Sequence, residues 1–273
     1  MSDKGLYTAL SGAMAQSLKL DTISNNIANV NTPAFKRDQQ VFREYLTANE
    51  KPPAVIQVPR IVASVESFYD MQGGDKSYVD SAGTYTDYSQ GGMKHTGNAL
   101  DVGIDGKGFF EIATPQGTRL SRLGSFTLDG NGQLVTKDGN PVLAAGGAGV
   151  DPAARVIKAS GTQPITIADN GNIYEGENLL AKLSMVEVDN QDSLQKIGNS
   201  LYQFKQGFTP EVKDAAHPSL KQGYLEASNV NVVQEMTDMI ATTRVFESTQ
   251  KAIHAYDSMA EKLVNTVPKV GNG

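Results

Sequence analysis

Three histidines and one serine–lysine pair are the side chains in this sequence best suited to catalysis or metal binding. His95, His217 and His254 lie far apart along the chain, and none has a second histidine or a carboxylate at a convincing metal-ligand spacing. A surface histidine is the favoured interpretation of each. Ser193 and Lys196 match the Ser-x-x-Lys pattern of serine acyl enzymes, but no Ser-Asp-Asn or Lys-Thr-Gly motif accompanies them. So short a pattern is expected by chance.

Two glycine-rich segments could in principle bind phosphate or calcium. The segment at 103–108 lacks the Gly-Lys-Ser/Thr of a P-loop, and strand-like residues follow it instead of a helix. The segment at 129–132 resembles half of a calcium loop, but no glutamate closes it at the twelfth position. Both fit tight turns better. Because the chain has no cysteine, disulfides and thiolate metal sites are excluded. We therefore predict no catalytic residue, no metal and no cofactor.

Length and charge narrow the class of protein further. A chain of 273 residues can form one large domain or two modest ones. A net charge of −6 argues against nucleic acid or an anionic membrane as the main partner. No apolar run approaches the ~20 residues of a spanning helix, and no signal-peptide h-region or cleavage site is present. We expect a protein that does not span a membrane and that leaves the cytoplasm, if it does, by another route.

Residues 5–30, near the N-terminus, are predicted to form one helix. Its seam residues recur at intervals of seven: Leu6, Ala13, Leu20 and Ile27 in one position, and Ala9, Gln16, Ile23 and Val30 in the other. This is a coiled-coil register with one polar break. The helix is expected to stop at Asn31, because the following Thr-Pro pair disfavours the α region.

Residues 226–267 carry the same heptad spacing at the other end of the chain. The repeat consists of Val232, Met239, Phe246, Ile253, Ala260 and Val267, widened by Met236, Ile240, Tyr256 and Leu263. A helix of roughly 35 residues needs a partner along its length, and the N-terminal helix has the same period. We expect the two to pair as a coiled coil. An antiparallel helix hairpin within a monomer is the alternative that these residues leave open.

Between the helices the pattern changes to short strands separated by glycine and Asn/Asp turns. The turns at 129–132 and 169–171 have hairpin chemistry. Residues 61–65 suggest a further strand, and residues 144–161 suggest a surface loop. The predicted fold is mixed α and β, with long paired terminal helices and a mainly antiparallel β domain inserted between them. The expected limits are 1–36 for the first helix, 37–80 for an extended connector, 81–225 for the β domain and 226–273 for the last helix.

Several segments together resemble the axial protein family of the bacterial flagellar rod and hook. The N-terminal motif is Tyr-Thr-Ala-Leu-Ser-Gly at 7–12 followed by 21–37. The central signature is Thr-Gly-Asn-Ala-Leu-Asp-Val-Gly-Ile-Asp-Gly-Lys-Gly-Phe-Phe at 96–110, continued by 122–143. The C-terminal motif is Gly-Tyr-Leu-Glu-Ala-Ser-Asn-Val-Asn at 223–231. One departure is Ala34, where many relatives carry a glycine that tolerates positive φ more easily.

This resemblance implies a structural subunit of the flagellar basal body. Family membership implies export of the unfolded chain through the flagellar type III apparatus without a cleaved signal. It further implies assembly with itself and other rod and hook axial proteins into a periplasmic tube that transmits torque for motility. Chain length and the single β domain favour a rod protein over the larger hook protein, and the N-terminal motif most resembles a proximal-rod member, with the distal-rod type close. A secreted binding module is the alternative from another class, and self-association would separate the two.

The predicted subunit interface combines the helix seams with amide residues beside them. Its residues are Leu6, Leu10, Ala13, Leu20, Ile23, Asn25, Asn26, Ile27, Asn29, Val30, Asn31, Phe35, Asn229, Val232, Met236, Met239, Ile240, Phe246, Ile253, Ala260 and Leu263. Asparagine is a poor interior helix residue, so we expect the amides to bridge neighbouring subunits, or Asn31 to cap the helix. A solvated polar face is the alternative. Phe35 is expected to anchor the chain where it leaves the helix, and folding of the terminal helices is expected to be coupled to polymerisation.

Overall fold

A long helix lies towards each end of the chain, and antiparallel strands lie between them. The computed structural model describes residues 3–46, 77–146, 151–208, 212–215 and 218–266. The helices are α1 (Asp3–Ala28) and α2 (Val232–Thr266), and short 3₁₀ turns lie at Pro152–Arg155 and Gln191–Ser193. The strands are β1 (Asp38–Leu46), β2 (Ser77–Thr86), β3 (Met93–His95), β4 (Val102–Ile104), β5 (Phe109–Thr114), β6 (Gly117–Ser121), β7 (Phe126–Leu128), β8 (Leu134–Thr136), β9 (Ile165–Ile167), β10 (Asn172–Glu175), β11 (Asn178–Lys182), β12 (Met185–Val188), β13 (Leu194–Gly198), β14 (Leu201–Phe204), β15 (Val212–Asp214), β16 (Leu220–Gln222) and β17 (Tyr224–Glu226).

The chain forms two structural units. The helical unit comprises the described parts of Met1–Ile27, Asp38–Tyr85 and Val232–Gly273, and contains α1, α2 and the two-stranded sheet of β1 and β2. The β unit comprises Ala28–Arg37 and the described parts of Thr86–Asn231. The mixed fold with a helix near each end and a largely antiparallel β region between them is confirmed. Coiled-coil pairing of α1 with α2 stays a prediction.

The core of the β unit lies on both faces of a six-stranded sheet with the order β13-β14-β6-β5-β12-β15. Successive side chains of a strand point to opposite faces, so neighbouring residues of β5 enter different clusters. Phe110 and Ile112 pack with Phe126 in the larger cluster, whereas Phe109 packs with Tyr202 in the smaller one. The rings of Phe109 and Tyr202 meet edge to face, with centroids 5.5 Å apart.

Local turn chemistry gives the hairpins that the sequence predicts. The turn at 129–132 joins β7 to β8, with Leu128 opposite Leu134. The turn at 169–171 joins β9 to β10, with Ile167 opposite Ile173. Both hairpins are confirmed, because a few Asn, Asp and Gly residues suffice to reverse the chain.

The last strands of the β unit pair with its first strands. Strand β16 is antiparallel to β4, and β17 is antiparallel to β3, with Tyr224 opposite His95. This pairing corrects the predicted start of the C-terminal helix at 226. Residues 224–226 are held in a strand, so α2 begins only at Val232.

The segment predicted as a surface loop contributes to the interior. Within the described part of 144–161, Ile157 and Ala159 belong to the larger core cluster. Arg155 is also buried, donates from Nε to the carbonyl oxygen of Ala144 at 2.8 Å, and forms an ion pair with Glu111. The interpretation as a surface loop is therefore wrong for residues 155–159, because this stretch contains a buried arginine and two side chains of the core. The strand predicted at 61–65 lies outside the described residues.

Candidate functional site

Helix α1 carries apolar side chains on two faces, one turned inwards and the other exposed. The predicted seam faces inwards: Ala13 and Ile23 are buried, and Leu6, Leu20, Ile27 and Val30 are half-buried. A second set has the spacing of successive helical turns and lies on the other side: Tyr7, Leu10, Met14 and Leu18, here called the outer stripe of α1. These four side chains are between 44% and 62% exposed. Only Leu10 of this stripe was among the predicted interface residues.

Helix α2 has a comparable arrangement. Its seam residues Met239, Phe246 and Ile253 are half-buried. Three residues, called the outer stripe of α2, are between 53% and 75% exposed: Val233, Met236 and Ile240. Of these, Met236 and Ile240 belong to the predicted widened seam and to the predicted interface. Val232 is exposed as well, and the side chains of Ala260 and Leu263 lie outside the described residues. Exposed apolar faces of this kind are typical of surfaces that bind a partner.

The asparagines at the end of α1 have different environments. Asn26 is buried, and its side chain pairs with the backbone of Asp38 through two hydrogen bonds: Nδ2 donates to the carbonyl oxygen at 2.8 Å, and Oδ1 accepts from the amide at 3.0 Å. Nδ2 also donates to Oε2 of the buried Glu235 in α2 at 3.2 Å. The amide of Asn26 is thus used inside the chain, and its predicted contact with a neighbouring subunit stays a prediction. A buried amide is tolerable here because Nδ2 donates two hydrogen bonds and Oδ1 accepts one.

The other asparagines lie towards the surface. Asn25 is exposed, and Asn29 is half-buried and accepts from Thr32 Oγ1 at 3.1 Å. Asn31 is exposed and lies beyond the helix end at Ala28, so it does not cap α1. Their role between subunits stays a prediction.

The segment that follows α1 is fixed against the β unit. Ala34 is buried at φ +59°, the left-handed conformation that alanine disfavours, and its amide donates to the carbonyl oxygen of Glu226 at 2.8 Å. Phe35 lies beneath the ammonium of Lys196, whose Nζ is 4.4 Å from the ring centroid. Lys196 also donates to the carbonyl oxygen of Lys36. Phe35 thus has a contact partner within the β unit, and its predicted place in the subunit interface stays a prediction.

Asn229, which lies just before α2, holds three chain segments together. Its Oδ1 accepts from the amide of Arg37 at 2.7 Å. Its Nδ2 donates to the carbonyl oxygens of Asp87 at 2.9 Å and Ser89 at 3.1 Å. The side chain is half-buried and bonded within the β unit, so its predicted contact with a neighbouring subunit stays a prediction.

A buried charge network lies beside these contacts. Glu226 accepts from Lys36 Nζ through Oε1 at 2.6 Å and from Arg122 Nε through Oε2 at 2.8 Å. The Lys36 and Glu226 side chains have no exposed surface, and that of Arg122 is 3% exposed. Burial lowers the pKa of Lys36; the Glu226 carboxylate opposes that shift and the Arg122 guanidinium adds to it.

This network was missed at the level of sequence. Lys36, Arg122 and Glu226 each lie in one of the motif segments that carry the family resemblance, and that shared placement is the signal that could have found them. Their pairing was not predictable, because Lys36 and Glu226 are 190 residues apart.

The residues considered for catalysis are occupied elsewhere. Ser193 Oγ donates to the carbonyl oxygen of Asn190 at 2.6 Å, whereas Lys196 contacts Phe35 and Lys36. His95 packs edge to face on Tyr224, His254 is exposed on α2, and His217 lies outside the described residues. Among the residues with described side chains, no group of three His, Asp or Glu is placed to hold a metal ion.

No helix in the described part of the chain is both long and apolar enough to cross a membrane.

Comparison with known proteins gives matches from one end of the chain to the other. Residues 6–36 match the family described as Flagella basal body rod protein, 103–175 match the Flagellar hook protein FlgE/F/G D1 domain, and 221–266 match the Flagellar basal body rod FlgEFG protein C-terminal family.

Full-length relatives carry two rod-protein names. The chain is 34% identical to flagellar basal-body rod protein FlgG of Bacillus subtilis, over 96% of this chain and 98% of the relative. It is 33% identical to FlgF of Rhizobium meliloti, over 96% and 97%, and 32% identical to FlgF of Caulobacter vibrioides, over 98% of each chain. The chain therefore belongs to the flagellar basal-body rod proteins of the FlgF/FlgG type, a family of structural subunits of the bacterial flagellar rod.

Proposed function

We propose that this rod subunit polymerises through its terminal helices into a helical tube that transmits torque for motility. The observation that carries the proposal is the pair of exposed outer stripes, one on each terminal helix of a chain whose relatives are rod proteins. When neighbouring copies contact each other through two different surfaces, each copy leaves one surface open for the next. Such contacts build a helical filament unless the rotation from copy to copy closes a ring.

Each terminal helix has two apolar surfaces that would become buried in such a tube, the seam and the outer stripe. The half-buried seam residues, among them Leu20, Phe246 and Ile253, would complete their burial when α1 and α2 pair as a coiled coil. The outer stripes would then be covered by helices of adjacent rod or hook subunits. Asn25, which is exposed on α1, and Asn29, which follows the end of that helix, would add amide contacts there.

The route to the rod follows from the same proposal. The chain would pass through the flagellar export apparatus without a cleaved signal and assemble in the periplasm. A proximal position in the rod stays a prediction, because relatives named FlgF and FlgG match at nearly equal identity.

The proposal is tested by placing charges in the outer stripe of α1. In the double variant Leu10→Asp, Met14→Asp, two carboxylates would have to be buried in an apolar contact, which is strongly unfavourable. We expect sedimentable polymer of the purified chain to fall at least tenfold, and rods to be missing from basal bodies isolated from cells that carry the variant.

The matched control is Thr8→Asp, which adds a carboxylate at an exposed position of the same helix outside the stripe. It should assemble like the parent chain. The urea midpoint of the β unit should be the same in all three proteins, which excludes general misfolding. Normal polymerisation of the double variant would refute the assignment of this surface.

A further inference from the structure

We infer that Lys36, Arg122 and Glu226 form a clasp that makes the segment after α1 (residues 33–37) and the segment before α2 (residues 224–229) one cooperative element. Neither segment keeps its place on the β unit without the other. This inference concerns the β unit alone and does not depend on how subunits polymerise.

Both oxygens of one carboxylate are used in the clasp. Oε1 of Glu226 accepts from Lys36 Nζ at 2.6 Å and from the amide of Gly91 at 2.9 Å, and Oε2 accepts from Arg122 Nε at 2.8 Å. The cations have further partners: Lys36 Nζ donates to the carbonyl oxygen of Ser89 at 2.7 Å. A single side chain therefore connects residues from three distant parts of the sequence.

The arginine is itself fixed by backbone. Its two terminal nitrogens donate to the carbonyl oxygens of Gly108 and Gly106, at 2.9 and 2.8 Å. Arg122 is thus held in place by the backbone of the turn between β4 and β5 and offers Glu226 a rigid, oriented partner, whereas the Lys36 ammonium is carried on a flexible side chain.

Backbone hydrogen bonds join the same segments. The amide of Ala34 donates to the carbonyl oxygen of Glu226 at 2.8 Å, and the amide of Asn229 donates to that of Phe35 at 3.4 Å. The amide of Asp87 donates to the carbonyl oxygen of Arg37 at 2.8 Å. Because these bonds lie beside the ion pairs, loosening one segment exposes the polar groups of the others.

The charges of the clasp make the two segments depend on each other. Two buried cations share one buried carboxylate, and a buried charge that loses its partner is strongly destabilising. Lys36 can therefore be buried only when Glu226 is present. Glu226 reaches its position when β17 pairs with β3, so the place for residues 33–37 is completed by the last strand of the β unit.

The test is hydrogen exchange of individual amides in the full chain carrying Glu226→Gln, which keeps the shape and removes the charge. We expect the amides of Ala34, Gly91 and Asn229 to exchange at least about tenfold faster and by a common factor. The amide of Leu134, which donates within the core to Ile157, should be unchanged.

The matched control is Glu111→Gln, which removes the carboxylate of a second, largely buried ion pair in the same unit, the one with Arg155. It should speed exchange near Ala144 and leave Ala34 unaffected. In the double variant Lys36→Met, Glu226→Gln, no unpaired ammonium is buried, so we expect part of the protection at Ala34 to return.

Faster exchange at Asn229 with Ala34 unchanged in Glu226→Gln would show that the two segments are independent, and would overturn the inference. Uniform acceleration throughout the β unit, including Leu134, would overturn it as well. Lys36→Met provides a second measurement should Glu226→Gln not fold: it must accelerate Gly91 together with Ala34, and failure to do so refutes the clasp.

Discussion

Replacing Asn26 by alanine should destabilise the helical unit, although alanine is the better helix former. The substitution removes the two hydrogen bonds to the backbone of Asp38, at 2.8 and 3.0 Å, and the bond to Glu235 at 3.2 Å. The site is buried, with Asn26 and Glu235 each 1% exposed, so water does not readily replace the lost partner.

The size of the effect follows from what is left unbonded. A buried backbone donor or acceptor without a partner costs about 1–3 kcal/mol, and a bond to a charged group contributes about 1.5–3 kcal/mol. Alanine returns only about 0.7 kcal/mol of helix propensity. Asp38 is only half-buried, so the low end of each range applies, and we expect Asn26→Ala to lower the free energy of unfolding of the helical unit by about 3 kcal/mol.

The neighbouring Asn25→Ala is the matched control, because the same change is made at an exposed position in the same helical turn. Urea unfolding followed by circular dichroism at 222 nm, together with exchange of the Asp38 amide, measures both variants. Asn26→Ala should lose protection at Asp38 and show an earlier helical transition. Asn25→Ala should differ from the parent by less than about 1 kcal/mol. Equal behaviour of the two variants would refute the view that Asn26 holds the helical unit together.

Two further predictions concern the β unit. Hydrogen bonds from Ser160 Oγ at 2.6 Å and from the backbone amides of Ser160, Gln163 and Thr162 hold the pKa of Glu175 at about 2, below its ordinary 4.5. The contribution of this carboxylate to stability is thus complete above pH 4.5 and is lost as the pH falls towards 2. Glu175→Gln should therefore be less stable than the parent at pH 7 and should lose less further stability on acidification to pH 3. Identical acid sensitivity of the two proteins in urea titrations would count against this. A Cβ at position 124 would lie 1.8 Å from the carbonyl oxygen of Val102, so Gly124→Ala should lower the free energy of unfolding by about 3 kcal/mol or more. The control Gly130→Ala, whose Cβ would meet no atom within 4 Å, should change that free energy by less than about 1 kcal/mol. Similar melting temperatures for the two variants would contradict this packing.

Features that depend on nearby residues were predictable from the sequence. The heptad spacing gave both terminal helices, and the turns at 129–132 and 169–171 gave two hairpins with their partner strands. Helix periodicity and turn chemistry act over a few residues, so a local pattern contains the information. The limits of α2 were less well predicted, since residues 224–226 are strand through pairing with β3, far away in the sequence.

The functional meaning of single residues was decided by the tertiary structure. Asn25 and Asn26 are identical and adjacent in the sequence, yet one is exposed and the other is buried and bonded to two distant residues. The heptad pattern assigned Met236 and Ile240 to the seam although both side chains are exposed, because a periodic pattern does not say which apolar face the rest of the chain covers.

The sequence by itself determined the family, the two terminal helices and the local hairpins. Only the tertiary structure placed Lys36 and Arg122 around Glu226, and only it gave Ala34 its left-handed conformation beside them. The physical reason is range. Propensity and turn geometry are properties of short segments, whereas a buried ion pair across 190 residues exists only once the sheet has brought its partners together.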